Sequence, residues 1–457
     1  MAHFVPPVPP TPPRPVGFRD FLRATRTNAI GIFSELSYTE WSVTGRQASR
    51  TTVVLNAPDA IHHVLVANPE NYRRTPTSVR ILYPIVGDGL LLSEGDAWRH
   101  QRRTIAPALA PRTLPLLARH IVRAGDEAMA ALHARAGQGP VDLQYAMQHL
   151  ALDIAARSMF SFEMKRHGPT LRGYLMQYGE RLARPGLFDL FLLARFLSPN
   201  DLLRQRFRRQ WLRFIGSLVD ARLAQKPRDP AQDLLDLLRN ARDPETGEGF
   251  SREALCDQTA TMIVAGHETT ANTLFWALYL IANDPEVQSR LHDEVAAVAI
   301  TPDNATEALA RLPHTKAVIN EALRLFPPAF VLVRQAVAPD IAAGIEIPAN
   351  AAVMISPWVL HRHRKLWTDP ATFDPDRFLG PPPRFAYLPF GAGPRICVGA
   401  QFALTEAAIV LAQFVRAFEV AMGDDRPVLP VPVITTVPDH APPFLLTPRT
   451  RTLAQAA

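Results

Sequence analysis

The residues best suited to chemistry lie late in the chain, in Phe390-Gly-Ala-Gly-Pro-Arg-Ile-Cys-Val-Gly399. Two glycines and a proline make a tight irregular loop, and Cys397 closes it just ahead of a stretch with helical periodicity. Backbone N–H groups and the positive end of a helix dipole favour a thiolate at such a place. A thiolate suits a soft metal ligand or a nucleophile. A nucleophilic cysteine would need a histidine base, and none is close in sequence. Reading Cys397 as a small buried side chain leaves the glycines and Arg395 unexplained. Cys256, the other cysteine, has no such surroundings and reads as packing.

A second place is Ala265-Gly-His-Glu-Thr269. It interrupts an apolar helix expected from Ser251 to Asn283, about 33 residues and so roughly 50 Å long. Gly266 costs about 1 kcal/mol inside a helix, and a buried Glu268 costs more unless paired, so a polar kink is expected here for a reason. His267-Glu268 is half of a zinc H-E-x-x-H pattern, but Ala271 stands where the second histidine belongs. A third place is a helix from Thr315 to Pro327 with Glu321 and Arg324 three apart on one face. A fourth is Trp98 and Arg102, four apart on another helix.

The elements that must position these groups are mainly helical. Alternation from Tyr38 to Leu55 suggests strands, as do Gly344–Pro348 and Ala352–Ser356. A last helix is expected from Gly399 to Phe418, with short strands after it. Prolines keep residues 1–16 out of regular structure, and no Gly/Ser linker divides residues 17–457. The fold class read from this is mainly α with a minor β-sheet, in one large domain.

Composition narrows the classes. With 47% apolar and 20% charged residues the chain is neither disordered nor fibrous. Two distant cysteines make no disulfide framework and fit a reducing cytoplasm. Net charge is +6, yet only four of the 49 cations are lysines and none forms a block interleaved with aromatics, so no nucleic-acid partner is expected. No apolar run reaches the roughly 18 residues of a spanning helix, and residues 1–16 lack the pattern of a signal peptide.

Taken together, these motifs resemble the cytochrome P450 family. Phe390, Gly393, Arg395, Cys397 and Gly399 fill every fixed position of its F-x-x-G-x-R-x-C-x-G loop. Glu321 and Arg324 match its E-x-x-R, Trp98 and Arg102 its W-x-x-x-R, and Ala265 to Thr269 its A/G-G-x-D/E-T. The resemblance covers nearly the whole chain in the family's order. It implies the P450 fold, with the long helix over a buried haem b (iron protoporphyrin IX). Cys397 is then the thiolate ligand of the iron, with Phe390 shielding the sulfur and Gly399 closing the loop. Trp98, Arg102, Arg334 and Arg395, with His100 beside them, are implied to hold the propionates. Glu268 and Thr269 become the acid–alcohol pair of oxygen activation, with Gly266 and Ala265 letting the helix pass close to the cofactor. Glu321, Arg324 and Arg377 become a structural triad, one carboxylate between two guanidiniums.

Segments 81–92, 187–197, 262–269, 329–332 and 433–437 resemble the family's substrate-contacting regions. Ile85, Leu91, Phe330, Val331 and Thr435 are its candidate contacts, and their aliphatic surroundings imply an apolar small-molecule substrate. The apolar stretch Leu187–Leu193 could equally touch a membrane surface. Electrons are expected from NAD(P)H through a separate ferredoxin and ferredoxin reductase, drawn to a monomeric, cytoplasmic protein by Arg99, Arg103, Arg362 and Arg364. The alternatives are a peroxide-driven peroxygenase and a non-catalytic haem protein, both disfavoured by the intact Glu268–Thr269 pair.

Overall fold

The computed structural model describes residues 3–47, 50–161, 167–183, 189, 198–432 and 434–449. The helices that bear on the site are α1 (Pro76–Val86), α2 (Gly95–Ile105), α3 (Leu114–His133), α4 (Leu143–Phe160), α5 (Pro199–Leu223), α6 (Arg252–Ala282), α7 (Pro313–Leu325) and α8 (Ala400–Ala417). The start of α6 is fixed by Ser251, whose hydroxyl accepts from the Ala254 N–H at 3.2 Å and so satisfies a donor that a helix start leaves open. Its end falls at Asn283, and Asp284 with Pro285 then cap and open the next helix. The sequence places both ends of α6 and the start of the helix after it to within a residue or two.

Helix α6 packs against α4, α5, α7, α8 and α1, which makes it the axis of the molecule. Its second half, Leu274 to Ile281, lies in the largest core with α3, α7 and α8, where Trp276 stacks on Phe326 at 3.9 Å between ring centres. Its first half joins a second core with Phe207 and Trp211 of α5. The stretch from Ala265 to Thr269 belongs to neither core. A side chain excluded from both cores on the axis of a domain is free to face something else.

A five-stranded sheet covers one side. With β1 Ser42–Gln47, β2 Arg50–Leu55, β3 Tyr72–Arg73, β4 Leu332–Ala336 and β5 Ala352–Ile355, its order is β1-β2-β5-β4-β3. Only β2 and β5 run parallel in it. Strand β4 carries Arg334 next to β3, so the sheet decides what faces that arginine. Residues 3–16 run without helix or strand and are tied down by Phe4, whose carbonyl accepts from Phe373 N–H at 2.8 Å and whose ring meets Tyr279 edge-on. Among the described residues no helix is long and apolar enough to cross a membrane.

Candidate active site

Cys397 follows a single helical turn, Gly393–Arg395, and its N–H donates to the Phe390 carbonyl at 2.9 Å, which closes the loop on itself. Gly393 has φ +71°, and a Cβ there would stand 1.9 Å from the Leu65 carbonyl oxygen. Both facts demand glycine. Gly393→Ala is therefore expected to lower stability by about 1–3 kcal/mol, read as a shifted denaturant midpoint. The Cys397 side chain is exposed to solvent, with the protein packed closely around it. Burial pushes its thiol up, against the Gly399 N–H and the Arg102 guanidinium, which both favour the thiolate. The thiolate expected from the loop alone is thus opposed by desolvation in the protein itself.

The predicted propionate residues gather on one side of this loop. Arg102 Nη1 donates to the Ile396 carbonyl at 2.8 Å. Arg395 lies 4.4 Å above the Trp98 ring, donates to the Ser93 carbonyl at 2.9 Å and pairs with Glu94. Arg334 is held on β4, and burial first, then Arg395, lower its pKa. Sequence reasoning missed a fourth guanidinium, Arg74. Its Nε is buried without a hydrogen-bond partner, and burial, Arg334 and Arg395 together push it down to about 9. This donor set has more positive charge than Glu94 can match, and it fits a ligand carrying carboxylates.

His100 does not belong to this set. Two residues along a helix from Trp98 is about 200° of rotation, so the ring points away. Its Nδ1 lies 2.8 Å from Asp243, which also takes two bonds from Arg103 at 2.9 and 2.8 Å.

On α6 the hydrogen-bonded helix runs unbroken through Gly266, so the expected kink is not a break in the helix. Ala265 is exposed although its helix is an axis of the core, and a Cβ on Gly266 would meet nothing within 4 Å. Both border open space. Thr269 Oγ1 donates to the Ala265 carbonyl at 2.6 Å. Glu268 is half-buried, and desolvation raises its pKa, opposed by the Thr435 hydroxyl that donates to it at 2.7 Å. Asn272 in turn donates to Thr435 at 2.9 Å. Thr435, expected to touch substrate, instead holds the acid. His267 takes the other side of the helix, 3.1 Å from the Gln148 carbonyl, and burial pushes it down to about 4.

Glu321 and Arg324 are fully buried and bonded twice, at 2.6 and 2.7 Å. Arg377 Nε reaches the same carboxylate at 3.2 Å, as does the Asp374 N–H at 2.9 Å. Arg324 also donates to the carbonyls of His361, Pro370 and Thr372. Of the substrate candidates, Leu91 lies half-buried against the second core and Phe330 and Val331 against the first. Ile85 is fully buried in packing, with its carbonyl bonded to Trp211 Nε1 at 2.8 Å, so it lines nothing. Apart from Asp189, residues 187–197 lie outside the described residues, as does Val433.

The four arginines expected to recruit a partner are all engaged. Arg99 pairs with Glu70 and Asp96, Arg103 with Asp243 and Glu245, and Arg364 with Glu35. Arg362 is buried with its guanidinium 3.5 Å over the Trp358 ring. Composition alone does not tell a packed arginine from a free one.

A family model described as Cytochrome P450 matches residues 12–444. Cyclooctat-9-en-7-ol 5-monooxygenase from Streptomyces melanosporofaciens is 32% identical, over 72% of this chain and 72% of that one. Cyclooctatin synthase from the same organism is 34% identical over 78% and 77%. Cytokinin hydroxylase from Arabidopsis thaliana is 32% identical over 79% and 73%. The crystal structure of a cytochrome P450DA heme domain superposes with TM-score 0.81 over 98% of both chains at 24% identity, which shows the fold. The chain belongs to the cytochrome P450 family. It is a monooxygenase of that family, and the family implies a haem cofactor.

Proposed function

We propose that the protein inserts one oxygen atom from dioxygen into a hydrophobic small molecule (a fatty acid, terpenoid, steroid or aromatic compound) by hydroxylation or epoxidation. Haem b, when bound, supplies the reductive activation of dioxygen, and a cysteine thiolate on its iron favours O–O cleavage. Cys397 provides that thiolate, with the Gly399 N–H and Arg102 stabilising its charge. Trp98, Arg102, Arg334 and Arg395 hold the propionates by charge-assisted hydrogen bonds.

Desolvation makes the Glu268 carboxyl a weaker acid than a free one, which favours its proton-bearing form, and Thr435 fixes its orientation. Thr269 is the hydroxyl that passes protons on, and in the resting arrangement its own proton is parked on the Ala265 carbonyl. Ala265 and Gly266 present no bulk on that face. Leu91, Phe330 and Val331 keep water out and receive an apolar molecule. The cyclooctat-9-en-7-ol of one relative's name is an unsaturated alcohol, in keeping with such a pocket. Electrons come from NAD(P)H through a separate ferredoxin and its reductase to a monomeric, cytoplasmic haem domain spanning residues 17–457, with residues 1–16 as lead-in.

The observation that carries this reading is the desolvated Glu268 beside Thr269 on a helix packed against α8, which begins three residues after Cys397. Thr269→Ala tests it. With a reconstituted electron chain, oxygen uptake should persist while product formation falls about 10²-fold, the lower end of what a positioned proton donor contributes. Unchanged product per oxygen consumed would overturn the role of the pair, and full activity on hydrogen peroxide alone would point to a peroxygenase.

A further inference from the structure

Arg74 of the propionate cluster belongs to no motif in the sequence and to no position that the family resemblance assigns. In the antiparallel pairing of β3 and β4, Tyr72 faces Ala336 and Arg73 faces Gln335. Arg74 follows directly on the end of β3 and Arg334 directly precedes Gln335, so the two cations lie near one another at this end of the pairing, close enough for Arg334 to lower the Arg74 pKa. Like charges set this close across neighbouring strands repel. Arg395 adds a third guanidinium that both of them feel. The carboxylate between them is Glu94, which accepts from Arg395 and reaches Arg74 Nε only to 3.9 Å. That Nε is buried and makes no hydrogen bond. A buried cation with an idle donor, set against two others around one shared carboxylate, is stable only if more negative charge joins the cluster.

We propose that Arg74 binds a haem propionate as a third cation beside Arg334 and Arg395, with Glu94 as the protein carboxylate that competes for the same guanidiniums. This rests on the haem reading of the site. Glu94 occupies Arg395 and partly balances Arg74, so it weakens their hold on the propionate and offsets their charge at the iron. Removing the cation and removing the competitor must then act in opposite directions.

The test uses holoenzyme and two readouts, haem transfer to excess apomyoglobin and the midpoint potential of the iron. Arg74→Leu is expected to speed haem release by about 10- to 100-fold, the usual range for a supporting contact at a metal site, and Arg74→Lys by much less. Arg334→Leu serves as the reference and should speed release comparably. A positive charge near the site favours the reduced state, so Arg74→Leu should lower the potential while Glu94→Gln raises it and slows release. A change in packing alone would not split in sign this way. If Arg334→Leu speeds release and Arg74→Leu leaves both release and potential unchanged, the role of Arg74 is overturned. If neither arginine variant changes release, the propionate reading of the whole cluster fails instead.

Discussion

The Cys397→Ser variant is expected to lose the thiolate-type absorption band of the reduced carbon monoxide complex, and product formation should fall by at least about 10²-fold. A serine hydroxyl offers nearly the same shape but stays protonated where a thiol ionises, so it cannot supply the same charge to iron. Its surroundings persist: the backbone bond from residue 397 to the Phe390 carbonyl and the Arg102 bond to Ile396 involve no sulfur. Cys397 is exposed and belongs to none of the hydrophobic cores, so far-ultraviolet circular dichroism should be unchanged. The loss is thus of ligand chemistry in a folded protein. Retention of the band in a folded variant would falsify the ligand assignment.

Glu321→Gln should have the largest effect on stability. Both partners of its bond to Arg324 are fully buried, and removing one partner of such a pair costs about 3–5 kcal/mol. Against a typical total of about 5–15 kcal/mol, that leaves the variant poorly folded at 37 °C, with a much lower denaturant midpoint and little bound haem. Many buried ion pairs can be exchanged for apolar residues with little loss. Here the double variant Glu321→Leu with Arg324→Met should remain as unstable as the single one. Arg324 also satisfies the carbonyls of His361, Pro370 and Thr372, and each carbonyl left open costs about 1–3 kcal/mol. A double variant of native stability would show that the pair is dispensable and that those carbonyls find other donors.

The site was legible in the sequence wherever the chemistry sits on one local stretch. The Cys397 loop, the 265–269 stretch and the Glu321–Arg324 pair each lie within one element, so spacing reveals them. Arg74 could not be found that way, because its meaning comes from the pairing of β3 with β4, which brings the end of one strand near Arg334 on the other. Thr435 was noticed for the wrong neighbour, since only the folded chain sets its hydroxyl on Glu268. The misplacement of His100 was avoidable, because helical geometry already turns it away from Trp98. Arg362 was beyond reach, as nothing in its sequence surroundings announces that it packs on Trp358.

The segment around Thr435 ties together parts of the chain that are made at very different times. Besides Thr435 on Glu268, the Thr436 carbonyl accepts from Trp276 Nε1 at 3.0 Å, and its hydroxyl donates to the Pro327 carbonyl at 2.7 Å. Synthesis adds about 5–20 residues each second, so α6 emerges many seconds before this clasp can reach it. Until then Glu268 lacks the Thr435 hydroxyl, which in the folded chain opposes the rise in pKa that burial causes. The ribosome therefore delivers Glu268 without the hydroxyl that orients it, and the segment around Thr435, made much later, supplies that hydrogen bond.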